Sequence, residues 1–113
     1  MRVLLYEDNL MWSEKLRKTL IGLGHEPVVI GRLTKDQPEA PVAIVNLGSS
    51  AWPVEELVKE LQSRAIWVIG HEGHKEKEKL QIGKEIGCDY LASNGETTFK
   101  LDKILAEFES KSQ

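Results

Sequence analysis

Two adjacent carboxylates, Glu7 and Asp8, close the stretch "RVLLYEDN", where an apolar, strand-like run meets its loop. Hard divalent cations prefer clustered carboxylate oxygens, so an acidic pair at such a place has the makings of a metal site. Asn46 ends a second apolar run, "VAIVN", and "GHEGH" follows a third, "AIWVI". His71, Glu72 and His74 in that last segment offer imidazole and carboxylate, both of which zinc accepts. Their spacing lacks the i, i+4 relation of a zinc-binding HExxH helix and Gly73 loosens it, so histidines on a solvent-facing turn are the expected reading. His25, directly after Gly24, reads as a turn residue.

The elements that must position these groups alternate along the chain. Val3–Tyr6, Val28–Ile30, Val42–Val45, Ile66–Ile69 and Tyr90–Leu91 are the strand candidates, and the first, third and fourth are apolar almost throughout, as central parallel strands are. Between them, Trp12, Leu16, Leu20 and Leu23 make a helical stripe that Gly24 can close in a left-handed cap. Pro53 suits a first helical turn, and behind it Val54, Leu57, Val58 and Leu61 fall at i, i+3, i+4 and i+7. Lys75–Ile86 reads as a charged helix ended by Gly87, and Leu101, Ile104, Leu105 and Phe108 as the inner stripe of the last helix. The stretch "LTKDQPEA", Leu33–Ala40, is too short and polar for a full helix and predicts a turn or a single helical turn. Strands alternating with crossover helices predict a doubly wound α/β sheet, whose ligands sit beyond the carboxyl ends of the strands. Glu7, Asp8, Asn46, Gly70 and His71 all fall there.

At 113 residues the chain reads as one domain, 1–113, with a polar tail at 109–113 that should fray. Hydrophobic residues at 41% and charged residues at 29% predict a globular protein. No run approaches the ~20 apolar residues that span a bilayer, and the first residues already carry a strand pattern in place of a secretory signal. A soluble, cytoplasmic protein without membrane contact is expected. The net charge of −3, with both signs mixed along the chain, lacks the basic footprint that phosphate backbones attract, so nucleic acid is not an expected partner. The single cysteine, Cys88, cannot form an internal disulfide and reads as a small buried thiol.

The sequence resembles the receiver domain of bacterial response regulators along essentially its whole length. "VLLYEDN" looks like that family's first strand with its acidic pair, "LIGLGHEPVVI" like its first-helix exit and second strand, and "EIGCDYL" like its fourth-helix exit and fifth strand. The resemblance implies a receiver, or flavodoxin-like, fold: a doubly wound five-stranded parallel sheet in a three-layer α/β/α sandwich. In the family an aspartate at the end of the third strand accepts a phosphoryl group, with magnesium held by that aspartate and the acidic pair. Asn46 stands at that position here, and an amide is not a carboxylate nucleophile. Where the family has its switch hydroxyl this chain has Gly70, and where it has its lysine followed by proline this chain has Ser93 and Asn94. No lysine occurs between Lys84 and Lys100 to take that role through a shift of register.

The expectation is therefore a degenerate receiver pocket of Glu7, Asp8, Asn46, Gly70 and Ser93. It should have no catalytic residue, no cofactor and no metal; Glu7 and Asp8 come nearest to a metal site. Trp12 and Trp67 belong to the helix–sheet layers, whereas Trp52, before Pro53, either closes the pocket or meets a partner. His71 and Tyr90 join Trp52 as candidates for ligand or partner contact. The function expected is a phosphorylation-independent pseudo-receiver that is not an enzyme and acts as a protein–protein interaction module in bacterial signal transduction. By resemblance its surface is the family's fourth helix, fifth strand and fifth helix, which also serves homodimers. The alternative is a small-ligand or metal-responsive sensor built on Glu7, Asp8, Asn46, Trp52, Gly70 and His71.

Overall fold

The structure, a computed structural model, describes residues 1–72 and 85–111. Five strands form one parallel sheet in the order β2-β1-β3-β4-β5: β1 Arg2–Tyr6, β2 Glu26–Ile30, β3 Val42–Asn46, β4 Trp67–Glu72 and β5 Tyr90–Ser93. The continuously apolar runs of β1 and β3 occupy the middle, where both faces are covered, and Val3–Tyr6 and Val42–Val45 are buried. The edge strand β2 keeps Glu26 and Val29 exposed.

Side chains alternate across each strand, so the apolar runs feed two cores. On one face Val3, Leu5, Ile44 and Ile69 pack beneath Leu16 and Leu20 of α1 (Leu10–Gly22) and beneath Leu101, Ile104 and Leu105 of the last helix. On the other, Leu4, Tyr6, Ala43, Val45 and Val68 meet Leu57, Val58 and Leu61 of α2 (Val54–Ser63). Two further helices follow β5: the short α3, Asn94–Phe99, and α4, Leu101–Lys111. The three-layer, doubly wound architecture expected from the alternation is the one found.

Several boundaries differ from expectation. Asn9 caps α1 by accepting a hydrogen bond from the Trp12 N–H, and the helix stops at Gly22, so Leu23 lies outside the buried stripe and is exposed. Ser13 is buried there in its place. Gly24 does take the left-handed conformation, at φ +87°. Pro53 stands at the N-cap of α2, just before the first turn. Between β2 and β3 the chain crosses without a helix. The last helix continues through Lys111, into the tail expected to fray, because Lys111 pairs with Glu107 and lies over the Trp67 ring.

The largest local departure is α3, which hydropathy did not reveal. Its signal was "SNGE": Ser93 accepts from the Glu96 N–H, while the Glu96 carboxylate accepts from the Ser93 N–H, a reciprocal capping box. Of the helix expected over Lys75–Ile86, Glu85 and Ile86 are helical, and the remainder, with His74, lies outside the described residues.

Candidate functional site

Glu7 and Asp8, adjacent at the end of β1, differ in burial. Asp8 is exposed, whereas Glu7 is 3% exposed and turns inward. Its Oε1 accepts hydrogen bonds from the Asn46 amide (2.9 Å) and the Asn9 N–H (3.1 Å). Its Oε2 lies 3.5 Å from His71 Nε2. That histidine is no loop residue: β4 runs on past Ile69, and parallel pairing sets His71 beside Asn46 on one side and Ala92 on the other. His71 is 3% exposed, and Trp12, from the first turn of α1, meets its ring edge-on at a centroid distance of 5.5 Å. A solvent-facing turn and a partner-facing histidine are both corrected by this placement.

Asn46 is committed through both side-chain polar atoms and its backbone carbonyl. Its Nδ2 donates to Glu7, its Oδ1 accepts from the Gly48 N–H at 2.9 Å, and its backbone carbonyl accepts from Trp52 Nε1 at 3.1 Å. Trp52 is 4% exposed and stands edge-on to Tyr6, so it belongs to the core beside α2 and reaches neither a bound ligand's space nor a partner's surface. Gly70 faces that same side. A Cβ built on it would come within 2.9 Å of Cys88 Sγ and of a Leu47 methyl, and 3.0 Å of a Leu91 methyl. The place for a hydroxyl-bearing side chain is filled by hydrocarbon and sulfur. Burial pushes the Cys88 thiol up to about 11, which keeps it protonated and suits the structural role read from its sequence.

Ser93 is spent on its capping box and is held there by the backbone of α3. Tyr90 is half-buried against Trp67, and its hydroxyl donates to Glu96, the other half of that box. The sequence candidates thus divide. Asn46 is hydrogen-bonded to Glu7 and His71 lies 3.5 Å from the other Glu7 oxygen, so the three form one polar knot; Trp52 and Gly70 are packing residues behind it, and Ser93 and Tyr90 serve α3. Trp12, assigned only to a helix–sheet layer, covers the knot; its one sequence signal is that it follows the N-cap of α1 by a single turn.

Solved structures with the same arrangement include receiver domains of response regulators. The chain superposes on a CheY-like response regulator receiver domain protein from Methanospirillum hungatei with a TM-score of 0.78 and 16% identity, covering 98% of this chain and 95% of that one. Against the Thermotoga maritima OmpR/PhoB homologue DrrB the TM-score is 0.80 at 15% identity, covering 99% of this chain and 54% of that one. Against the phosphorylated cyanobacterial phytochrome response regulator RcpA it is 0.73 at 14% identity, covering 99% and 95%. The fold is that of a response-regulator receiver domain. No protein-family model matches the sequence, and no curated protein matches it.

The receiver fold implies a divalent cation at the acidic pair, and the residues present do not fit one. Magnesium requires an octahedral set of oxygens. Here one Glu7 oxygen is held by two N–H donors and the other faces an imidazole, the Asn46 side-chain oxygen is taken by Gly48, and of the acidic pair Asp8 alone is exposed. Among the described residues no three His, Cys, Asp or Glu side chains come together as a metal cluster. No described helix is long and apolar enough to cross a membrane.

Proposed function

We propose that this receiver fold is a pseudo-receiver: a cytoplasmic module of bacterial signal transduction that binds a protein partner without phosphorylation and catalyses no reaction. The observation that carries the reading is the Asn46 amide, which occupies the end of β3 and donates to buried Glu7. Phosphoryl transfer needs a carboxylate nucleophile and a cation to neutralise the developing charge, and neither requirement is supported by this knot. Receivers are signalling modules, and one similar structure is described as phosphorylated. In this chain the surface of such a module would be in one state throughout, because a ligand shifts a population only through contacts that differ between states. The partner, which includes the case of a second copy of the chain, would use the face around β5 and α4.

A small-ligand or metal-responsive sensor has less support, since Trp52 and His71 are enclosed in the core and Gly70 is packed against three side chains. The test is acetyl phosphate with magnesium, followed by intact mass and by amide NMR spectra with beryllofluoride. The expected result is an unmodified chain and unchanged spectra. A base-labile phosphoryl adduct on a carboxylate, or amide shifts that spread from Asn46 to Tyr90 and α4, would overturn the reading.

A further inference from the structure

The misfit between the acidic pair and a divalent cation has an identifiable author within the chain. Glu7 carries a carboxylate into a 3% exposed position, where an uncompensated charge is costly. Two N–H donors serve Oε1, whereas Oε2 accepts no hydrogen bond and has His71 Nε2 at 3.5 Å. We propose that the His71 imidazole is the internal counter-group of Glu7: it keeps the carboxylate turned into the fold and thereby excludes a divalent cation from the end of β1. His71 is a positioning residue in this assignment, acting through Glu7.

Three features support it. Strand alternation puts Ile69 and His71 on the α1 side of the sheet and Gly70 on the other, so the imidazole is delivered to the face that Glu7 enters. An imidazole can present an Nε2–H to a carboxylate in its neutral Nε2–H tautomer and in its charged form, so the contact does not depend on one protonation state. Trp12 confines the ring from above, and Nδ1 has no hydrogen-bond partner among the described residues, which leaves Glu7 as the polar group there that His71 serves. For a cation to bind, Glu7 would have to rotate outward toward Asp8, stranding a buried imidazole under Trp12. Metal affinity is reduced by whatever that separation costs.

The assignment goes beyond the proposed function and stands independently of it, since phosphorylation assays interrogate Asn46 and metal titration interrogates His71. The experiment is a Mn²⁺ titration, followed by the electron paramagnetic resonance of the free ion, of the wild-type chain, His71→Ala, His71→Gln and His71→Ala/Glu7→Gln. His71→Ala should bind Mn²⁺ roughly tenfold or more tightly than wild type, the factor set by releasing a hydrogen-bonding partner from a charged group. His71→Gln, which keeps an N–H within reach, should remain near wild type, and Glu7→Gln should cancel the gain. A folded His71→Ala that binds no better than wild type overturns the proposal, as does a gain that survives Glu7→Gln. Should His71→Ala not fold, ¹⁵N spectra of the imidazole in the wild-type protein and in Glu7→Gln decide. The ring resonances should move when Glu7 is neutralised, and unmoved resonances refute the pairing.

Discussion

The ends of β3 and β4 and the end of β5 are closed by different physics. At β3 and β4 side chains do the closing. Asn46 binds Glu7, Gly70 lies where Cys88, Leu47 and Leu91 leave no room for a side chain, and His71 brings an imidazole under Trp12. At β5 the backbone does it. Ser93 and Glu96 wind the following residues into α3, with Thr97 buried as its anchor and Tyr90 tied to the cap. The first region is closed by buried polar pairing and the second by a local backbone motif. A motif held by its own backbone tolerates loss of a neighbour, whereas a buried polar knot fails when one member is left without its partner.

The largest test of that contrast is at Gly70. Gly70→Thr should lower the unfolding free energy by about 3 kcal/mol, because the new atoms collide with Cys88, Leu47 and Leu91. Urea unfolding measures it, and Leu47→Ala in the same chain should recover part of the loss. Full stability in Gly70→Thr would mean that the position is open and that the closed-site description is wrong.

Asn46→Asp should come next, at about 2 kcal/mol near neutral pH, since it replaces a donor by a second carboxylate against buried Glu7. Like charges raise a carboxyl pKa in the folded state, so the folded protein then binds more protons than the unfolded chain and stability falls as pH rises. The deficit should therefore be smaller at pH 5 than at pH 8. A deficit independent of pH would argue against direct contact between residue 46 and Glu7.

Ser93→Ala should cost about 1 kcal/mol, the usual worth of an N-cap, and should act locally. Hydrogen exchange should quicken at the Glu96 and Thr97 amides and remain unchanged at Leu47, whose N–H is bonded to His71. Combined with Asn46→Asp the losses should add to within about 0.5 kcal/mol if the two regions are independent. Coupling beyond that would join them into one unit.

The smallest effect near neutral pH concerns Tyr6, whose hydroxyl donates to Gln37 and whose pKa burial pushes up to about 12. A folded value above the unfolded 10.0 stabilises the protein fully below pH 10, and this contribution is lost as pH rises from there toward 12. Tyr6→Phe should flatten that part of the stability–pH curve. Measured slopes that coincide in the two proteins would place the phenol in solvent.

Much of this was legible in the residues because it is local. The i, i+3, i+4, i+7 spacing of Val54, Leu57, Val58 and Leu61 already places one face of α2 on the sheet, and three of the four are buried there. Gly24 ends its helix at positive φ for a reason that needs no neighbour beyond the turn. That residues 46, 70 and 93 are an amide, a glycine and a serine, with no carboxylate, hydroxyl or ammonium respectively, is likewise a matter of residue type. The capping box of "SNGE" was present in the sequence as well, but without an apolar run behind it a hydropathy reading passes over α3.

What residue type leaves undetermined is where a polar group goes when the sheet assembles. His71 reads as a loop residue because the apolar run ends at Ile69, and only pairing with β3 and β5 carries the strand on to Glu72. Strand alternation then decides which face the imidazole enters, and a shift of one residue would have sent it to the Cys88 side. Glu7 and Asp8 are identical in charge and adjacent in sequence, yet one is enclosed and the other exposed, because Asn46, Asn9 and His71 converge on the first alone. Asn9 is a neighbour in sequence, but Asn46 and His71 come from β3 and β4, far along the chain, and a contact that exists only after a sheet has assembled cannot be read from any one of its strands.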